Sequence, residues 1–181
     1  MPRGGVPVAA EVARALGVPL DVFVVRKLGV PGQRELAMGA VATGGVRVLN
    51  ERVVTTLGIP PAAIDGVAAD EARELTRREA VYRAGRPPLD LRDAAPLLVD
   101  DGLATGATMR AAIEAARHLG PRDVSVGVPV GARATCDELA TLADRVVCVE
   151  MPANFNAVGQ WYEDFTQTTD EEITRLLAGA T

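Results

Sequence analysis

The chain has 181 residues, 48% hydrophobic and 24% charged, with a net charge of −5. That composition suits one globular domain, alone or with a subdomain, and excludes a disordered chain. No stretch approaches the ~18 uninterrupted apolar residues of a membrane span, and no basic-then-apolar leader opens the sequence, so no membrane partner and a cytoplasmic protein are expected.

Met1-Pro2-Arg3-Gly4-Gly5 is a glycine-rich turn opening a helix over residues 6–16, with Ala9, Val12, Ala13 and Leu16 on one face. Such turns normally follow a strand, and none stands in front of this one. Residues 21–25 read as a buried strand. Residues 36–42 and 46–49, separated by Thr43-Gly44-Gly45, read as a hairpin. Residues 62–84 predict a charged helix that serves as a solvated cover, and Pro87-Pro88 is the clearest break. Beyond it the spacing predicts a strand over 96–99, a helix over 107–119 and a strand over 124–130. A helix over 134–143 and a strand over 146–149 complete the series. Strands alternating with helices predict an α/β fold with a doubly wound, mostly parallel sheet, whose ligands sit at the carboxyl ends of its strands. Residues 1–150 are expected to form the core, with a hairpin and helical insertion at about 36–86. Residues 151–181 would form a small C-terminal hood and a terminal helix.

The rarest residues exclude whole reaction classes. His118 is the only histidine and Cys136 and Cys148 the only cysteines, so a tetrahedral zinc site and a disulfide scaffold are both excluded. Ser125, the only serine, sits in an apolar alternation rather than on the sharp turn a nucleophile needs. Lys27, the only lysine, is followed by Leu28, whereas a Walker lysine is followed by Ser or Thr. The acidic balance argues against a nucleic-acid partner and leaves any anion site local.

The chemistry concentrates in Leu97-Leu98-Val99-Asp100-Asp101-Gly102-Leu103-Ala104-Thr105-Gly106-Ala107-Thr108. A buried strand delivers two carboxylates at its carboxyl end. A loop of small residues then enters a helix N-terminus with two threonines. Free N–H groups, hydroxyls and the helix dipole make a phosphate cradle. Carboxylates beside a phosphate would repel it unless they hold sugar hydroxyls, a metal, or both. A phosphorylated sugar fits.

These twelve residues resemble the 5-phosphoribosyl-1-pyrophosphate (PRPP) motif of type I phosphoribosyltransferases. The resemblance implies that Asp100 and Asp101 hold the ribose 2- and 3-hydroxyls and support Mg²⁺ indirectly, through the PRPP that carries it. It implies that Leu103, Ala104, Thr105, Gly106, Ala107 and Thr108 wrap the 5-phosphate. Arg3-Gly4-Gly5 resembles the family's pyrophosphate loop. Arg26-Lys27-Leu28-Gly29-Val30-Pro31-Gly32 resembles the start of the mobile catalytic loop of adenine phosphoribosyltransferases, which makes Arg26 and Lys27, with Asp100 and Asp101, the expected catalytic residues. From the Arg-Gly-Gly loop to Gly159-Gln160-Trp161-Tyr162-Glu163-Asp164-Phe165, the chain is similar to a bacterial group of phosphoribosyltransferases of unassigned base specificity.

The implied reaction displaces pyrophosphate from C1 of PRPP by a base nitrogen, through an oxocarbenium-like transition state, in a homodimeric nucleotide-salvage enzyme. Four of the six aromatics fall between Phe155 and Phe165, so Trp161 and Tyr162 are expected to stack on a nucleobase-like acceptor or to pack the hood. The alternative is a non-catalytic PRPP-binding regulatory module. Members of the group carry a helix and strand before the Arg-Gly-Gly loop, so the first core strand is expected to be missing here. A natural start upstream of Met1, or a strand borrowed in an oligomer, would supply it; otherwise the chain is expected to be marginally stable.

Overall fold

The structure, a computed structural model, describes residues 1–179; residues 180 and 181 of the expected C-terminal segment lie outside the described residues. The elements run α1 (Gly5–Leu16), β1 (Val25–Val30), β2 (Gln33–Ala42), β3 (Val46–Leu49), α2 (Glu51–Leu57), α3 (Pro61–Tyr82) and β4 (Leu97–Val99). There follow α4 (Ala107–Arg117), β5 (Ser125–Val130), α5 (Arg133–Leu139), β6 (Arg145–Glu150), a single 3₁₀ turn over Val158–Trp161, and α6 (Asp170–Ala178). Local chemistry sets several boundaries. α1 stops at Gly17 in the left-handed region at φ 63°. Pro61 opens α3 at a position where its missing N–H costs nothing. Pro31-Gly32 joins β1 to β2 in a two-residue turn, with Gly32 at φ 82° as the type II geometry demands.

The fold is α/β, and its strands divide into an antiparallel sheet, β1-β2-β3, and a parallel sheet, β4-β5-β6. The strand expected at 21–25 is displaced. Its ladder starts at Val25, opposite Ala42, and continues through Arg26 and Lys27 to Val30. Val22, Phe23 and Val24 are buried as expected, but outside any strand. Val24 is tied only on the β2 side, where its N–H donates to Thr43 Oγ1 and its carbonyl accepts from the Thr43 N–H, both at 2.9 Å. On the other side a cavity of about 620 Å³ separates Val22 and Phe23 from Leu97, Leu98 and Val99. A ladder needs a partner, and no strand lies there among the described residues.

Side chains bridge the gap instead. Val24 and Val99 share one core with α1 (Val6, Ala9), α3 (Ile64, Leu75) and α6 (Ile173, Leu177). Their neighbours Phe23 and Leu98 belong to a second core with α4 (Met109, Ala112, Ile113) and Leu139 of α5. Adjacent residues entering opposite cores is the period of extended chain. Helices therefore cover both faces, and full burial of side chains such as Ile173 and Leu177 contributes about 1.5–3 kcal/mol each.

Candidate active site

β4 ends by carrying Asp100 and Asp101 out of the core. The Asp101 N–H donates to Asp100 Oδ1 at 3.1 Å, fixing one carboxylate against the next residue's backbone. Burial pushes the Asp100 carboxyl up to about 6; the Met1 ammonium opposes that rise and the Asp101 charge adds to it. Asp101 is raised as well, again chiefly by burial. The Met1 ammonium donates to the Val99 carbonyl. Burial lowers its pKa against the pull of both carboxylates.

The Arg3-Gly4-Gly5 turn lies directly on this strand end. A Cβ on Gly4 would collide with Asp101 Oδ2, and one on Gly5 would stand 2.7 Å from Asp100 Cα and 2.8 Å from the Val99 carbonyl oxygen. Only glycine permits so close an approach. The turn and the acidic pair, 95 residues or more apart in sequence, are thus one surface.

The loop after Asp101 is braced from below. Leu103 is buried, its N–H donating to the Val130 carbonyl and its carbonyl accepting from the Ala132 N–H, both at 2.9 Å. Its amide is therefore spent on the sheet and is not available to a phosphate. Thr135 Oγ1 donates to the Ala104 carbonyl at 2.6 Å. Gly106 adopts φ 69°, and its α-carbon packs so closely that a Cβ would meet Thr135 Cγ2 at 2.5 Å. Beyond it, Ala107 and Thr108 open α4, where first-turn N–H groups lack intrahelical acceptors. Ala104, Thr105 and Thr108 are exposed and Ala107 is half-buried. They face solvent beside the carboxylates.

The C-terminal segment reaches the same point. The Tyr162 hydroxyl donates to the Asp101 carbonyl at 2.6 Å. Its ring packs on Phe165 at a centroid distance of 5.2 Å and 42°, and Phe165 covers Gly159. Tyr162 is thereby committed to the acidic turn and to packing against Phe165. Trp161 is 46% exposed.

The phosphoribosyl transferase domain family matches residues 1–165. The chain belongs to this family. Two curated Mycobacterium tuberculosis proteins, each named "Putative phosphoribosyl transferase" (MT0597 in strain CDC 1551 / Oshkosh and Rv0571c in strain H37Rv), are 50% identical to it over 177 residues. That alignment takes in 98% of this chain and 40% of each relative, so the chain spans two fifths of their length. The crystal structure of TT1426 from Thermus thermophilus superposes with a TM-score of 0.89 at 42% identity, covering 99% of this chain and 85% of that one.

Within this phosphoribosyl transferase domain, Arg26 and Lys27 lie elsewhere than expected. They sit inside β1, opposite Val41 and Ala40, not in a loop after a strand. Arg26 pairs with Glu71 of α3 at 2.7 Å, which ties it to the helix. Lys27 is exposed. No helix among the described residues is long and apolar enough to cross a membrane. No group of three or more His, Cys, Asp or Glu side chains is placed to hold a metal there either. Two adjacent carboxylates are a donor set for a metal that arrives with its own phosphate ligands, not for a resident ion.

Three further residues join the site that residue spacing did not single out. Thr135 braces the loop, and Asp170 and Tyr82 approach Arg3 from α6 and the end of α3. The capping signature Thr169-x-x-Glu172 marks the start of α6 in the sequence, and so marks Asp170 as its first residue.

Proposed function

We propose that this domain transfers the 5-phosphoribosyl group of PRPP to a nitrogenous base and releases pyrophosphate. The observation that carries the proposal is the contact of the Arg3-Gly4-Gly5 turn with Asp100 and Asp101, beside the N-terminus of α4. A diphosphate, a ribose and a 5-phosphate would then find their partners in sequence along one surface. Arg3 and the Gly4 and Gly5 amides would take the diphosphate, and Asp100 and Asp101 the ribose hydroxyls. Ala104, Thr105, Gly106, Ala107 and Thr108 would take the 5-phosphate. Mg²⁺ entering with PRPP would neutralise the leaving diphosphate, with Asp100 and Asp101 as its nearest protein carboxylates.

No covalent nucleophile is required of the chain. Its residues orient the donor, stabilise developing charge and exclude water from C1. Trp161 would offer the stacking surface for the acceptor, and Lys27 would act on the diphosphate. In this scheme residues 1–150 are the catalytic core and residues from 151 the hood, in a dimer. The Arg26–Glu71 pair favours a second reading, a PRPP-binding module without turnover, because it gives one expected catalytic cation a carboxylate partner within the protein. Incubating the protein with PRPP, Mg²⁺ and a panel of nucleobases separates the two. Base-dependent pyrophosphate release supports transfer, whereas saturable PRPP binding with no release against any base supports the module.

A further inference from the structure

Asp170 lies beyond the family match, which ends at residue 165. Its Oδ1 nonetheless accepts the Tyr82 hydroxyl at 2.7 Å and stands 3.5 Å from Arg3 Nε. Both supports of that oxygen are fixed. Tyr82 ends α3 and is 3% exposed. Asp170 opens α6, which is held by the Thr169–Glu172 capping box and by the buried Ile173 and Leu177. The Arg3–Asp170 ion pair is itself partly buried, with side chains 30% and 31% exposed, so it holds Arg3 at the turn while leaving the side chain within reach of a ligand.

We propose that Asp170, oriented by Tyr82, is a positioning residue that aims Arg3 at the diphosphate of the phosphoribosyl donor; its premise is the diphosphate role proposed above for the Arg3-Gly4-Gly5 turn. Arginine surrenders much rotamer freedom when it grips an anion. A carboxylate oxygen 3.5 Å from Nε, an ion-pair contact, draws the guanidinium toward α6 from its Nε side and leaves both terminal nitrogens for a bidentate contact. The Tyr82 hydroxyl, donating to the same oxygen, draws off part of the negative charge that would oppose an incoming diphosphate. The C-terminal helix thereby enters the function of a turn at the opposite end of the chain.

Calorimetric titration with Mg²⁺-pyrophosphate and Mg²⁺-PRPP tests this on the 181-residue chain. Arg3→Ala should weaken both ligands tenfold or more, as loss of a charged contact implies. Asp170→Asn should weaken them by roughly 3- to 10-fold with an unchanged melting temperature, Tyr82→Phe should act in the same direction, and Asp170→Glu should restore part of the loss. In an Arg3→Ala background, Asp170→Asn should add nothing. Full affinity in Asp170→Asn and Tyr82→Phe while Arg3→Ala binds poorly would overturn the positioning role and leave the turn's role standing. Full affinity in Arg3→Ala would overturn the diphosphate role of the turn itself. Tighter binding by Asp170→Asn would show a competing carboxylate and also overturn the proposal. So would a lowered melting temperature with unaltered affinity, which marks a purely structural contact.

Discussion

Asp100→Asn should stabilise the protein at neutral pH while it damages PRPP binding. In the native state burial raises the Asp100 carboxyl from 3.8 to about 6. Between those values the native protein holds a proton that the unfolded chain has released, so stability falls as pH rises. The contribution is complete below the unfolded value and gone above about 6. A shift of about two units corresponds to about 3 kcal/mol at most, lessened where the substitution also deprives the Met1 ammonium of a partner. The amide keeps an oxygen to accept the Asp101 N–H and does not titrate. Urea denaturation from about pH 4 to 8 should therefore show a wild-type decline through pH 6 that is steeper than the variant's, which retains only the contribution of the raised Asp101 carboxyl. PRPP titration should show at least tenfold weaker binding, the effect of losing a charged hydrogen bond. Parallel stability profiles would refute the burial account of Asp100, and unchanged PRPP affinity would refute its ribose role.

Other substitutions probe the rest of the surface. Gly4→Ala meets a carboxylate oxygen that can rotate away, so it should weaken PRPP binding with the fold retained. Gly5→Ala meets the backbone of Val99 and Asp100 and should cost about 1–3 kcal/mol in a urea melt. Tyr162→Phe should cost about 0.5–1.5 kcal/mol of stability by leaving the Asp101 carbonyl without its donor. Trp161→Ala should raise the acceptor KM by the equivalent of ~1–3 kcal/mol with PRPP affinity retained; equal losses for both substrates would place the ring in packing instead. Lys27→Ala should lower kcat and kcat/KM together by about 10²–10³ if the ammonium acts in the transition state, and normal turnover would make it a solvated strand residue.

The parallel half of the fold is legible because its strands are short apolar runs between breakers, and β4, β5 and β6 fall within a residue or two of their expected limits. The acidic pair and the loop into α4 are legible for the same reason: strand, carboxylates, small residues and helix follow one another locally. Residues 21–30 are not, because β-ladder formation depends on a partner. The apolar run at 22–24 is buried without a ladder, while the less apolar 25–30 acquires one from β2. Helix α2 escaped hydropathy, having no buried residue, although Asn50 and Gly58 bracket it with a cap at each end. The fates of Leu103, Arg26 and Tyr162 turn on Val130, Glu71 and Asp101, partners distant in sequence.

The division of the strands into two sheets has a consequence for how the molecule opens. Backbone ladders transmit cooperativity within each sheet, and among the described residues none crosses from one to the other. Between them the coupling is carried by α4, which touches β1, β2, β3 and β4, and by the series α1, α6 and α3, which runs from β4 to β1 and β2. With no ladder joining them, each sheet should behave as its own exchange-protected unit. Amide hydrogens of β5, paired on both flanks, should outlast those of β4, which borders the cavity. The loop over residues 102–106 hangs from β4, so sub-global opening of that strand should release Asp100 and Asp101 before the rest of the parallel sheet comes apart.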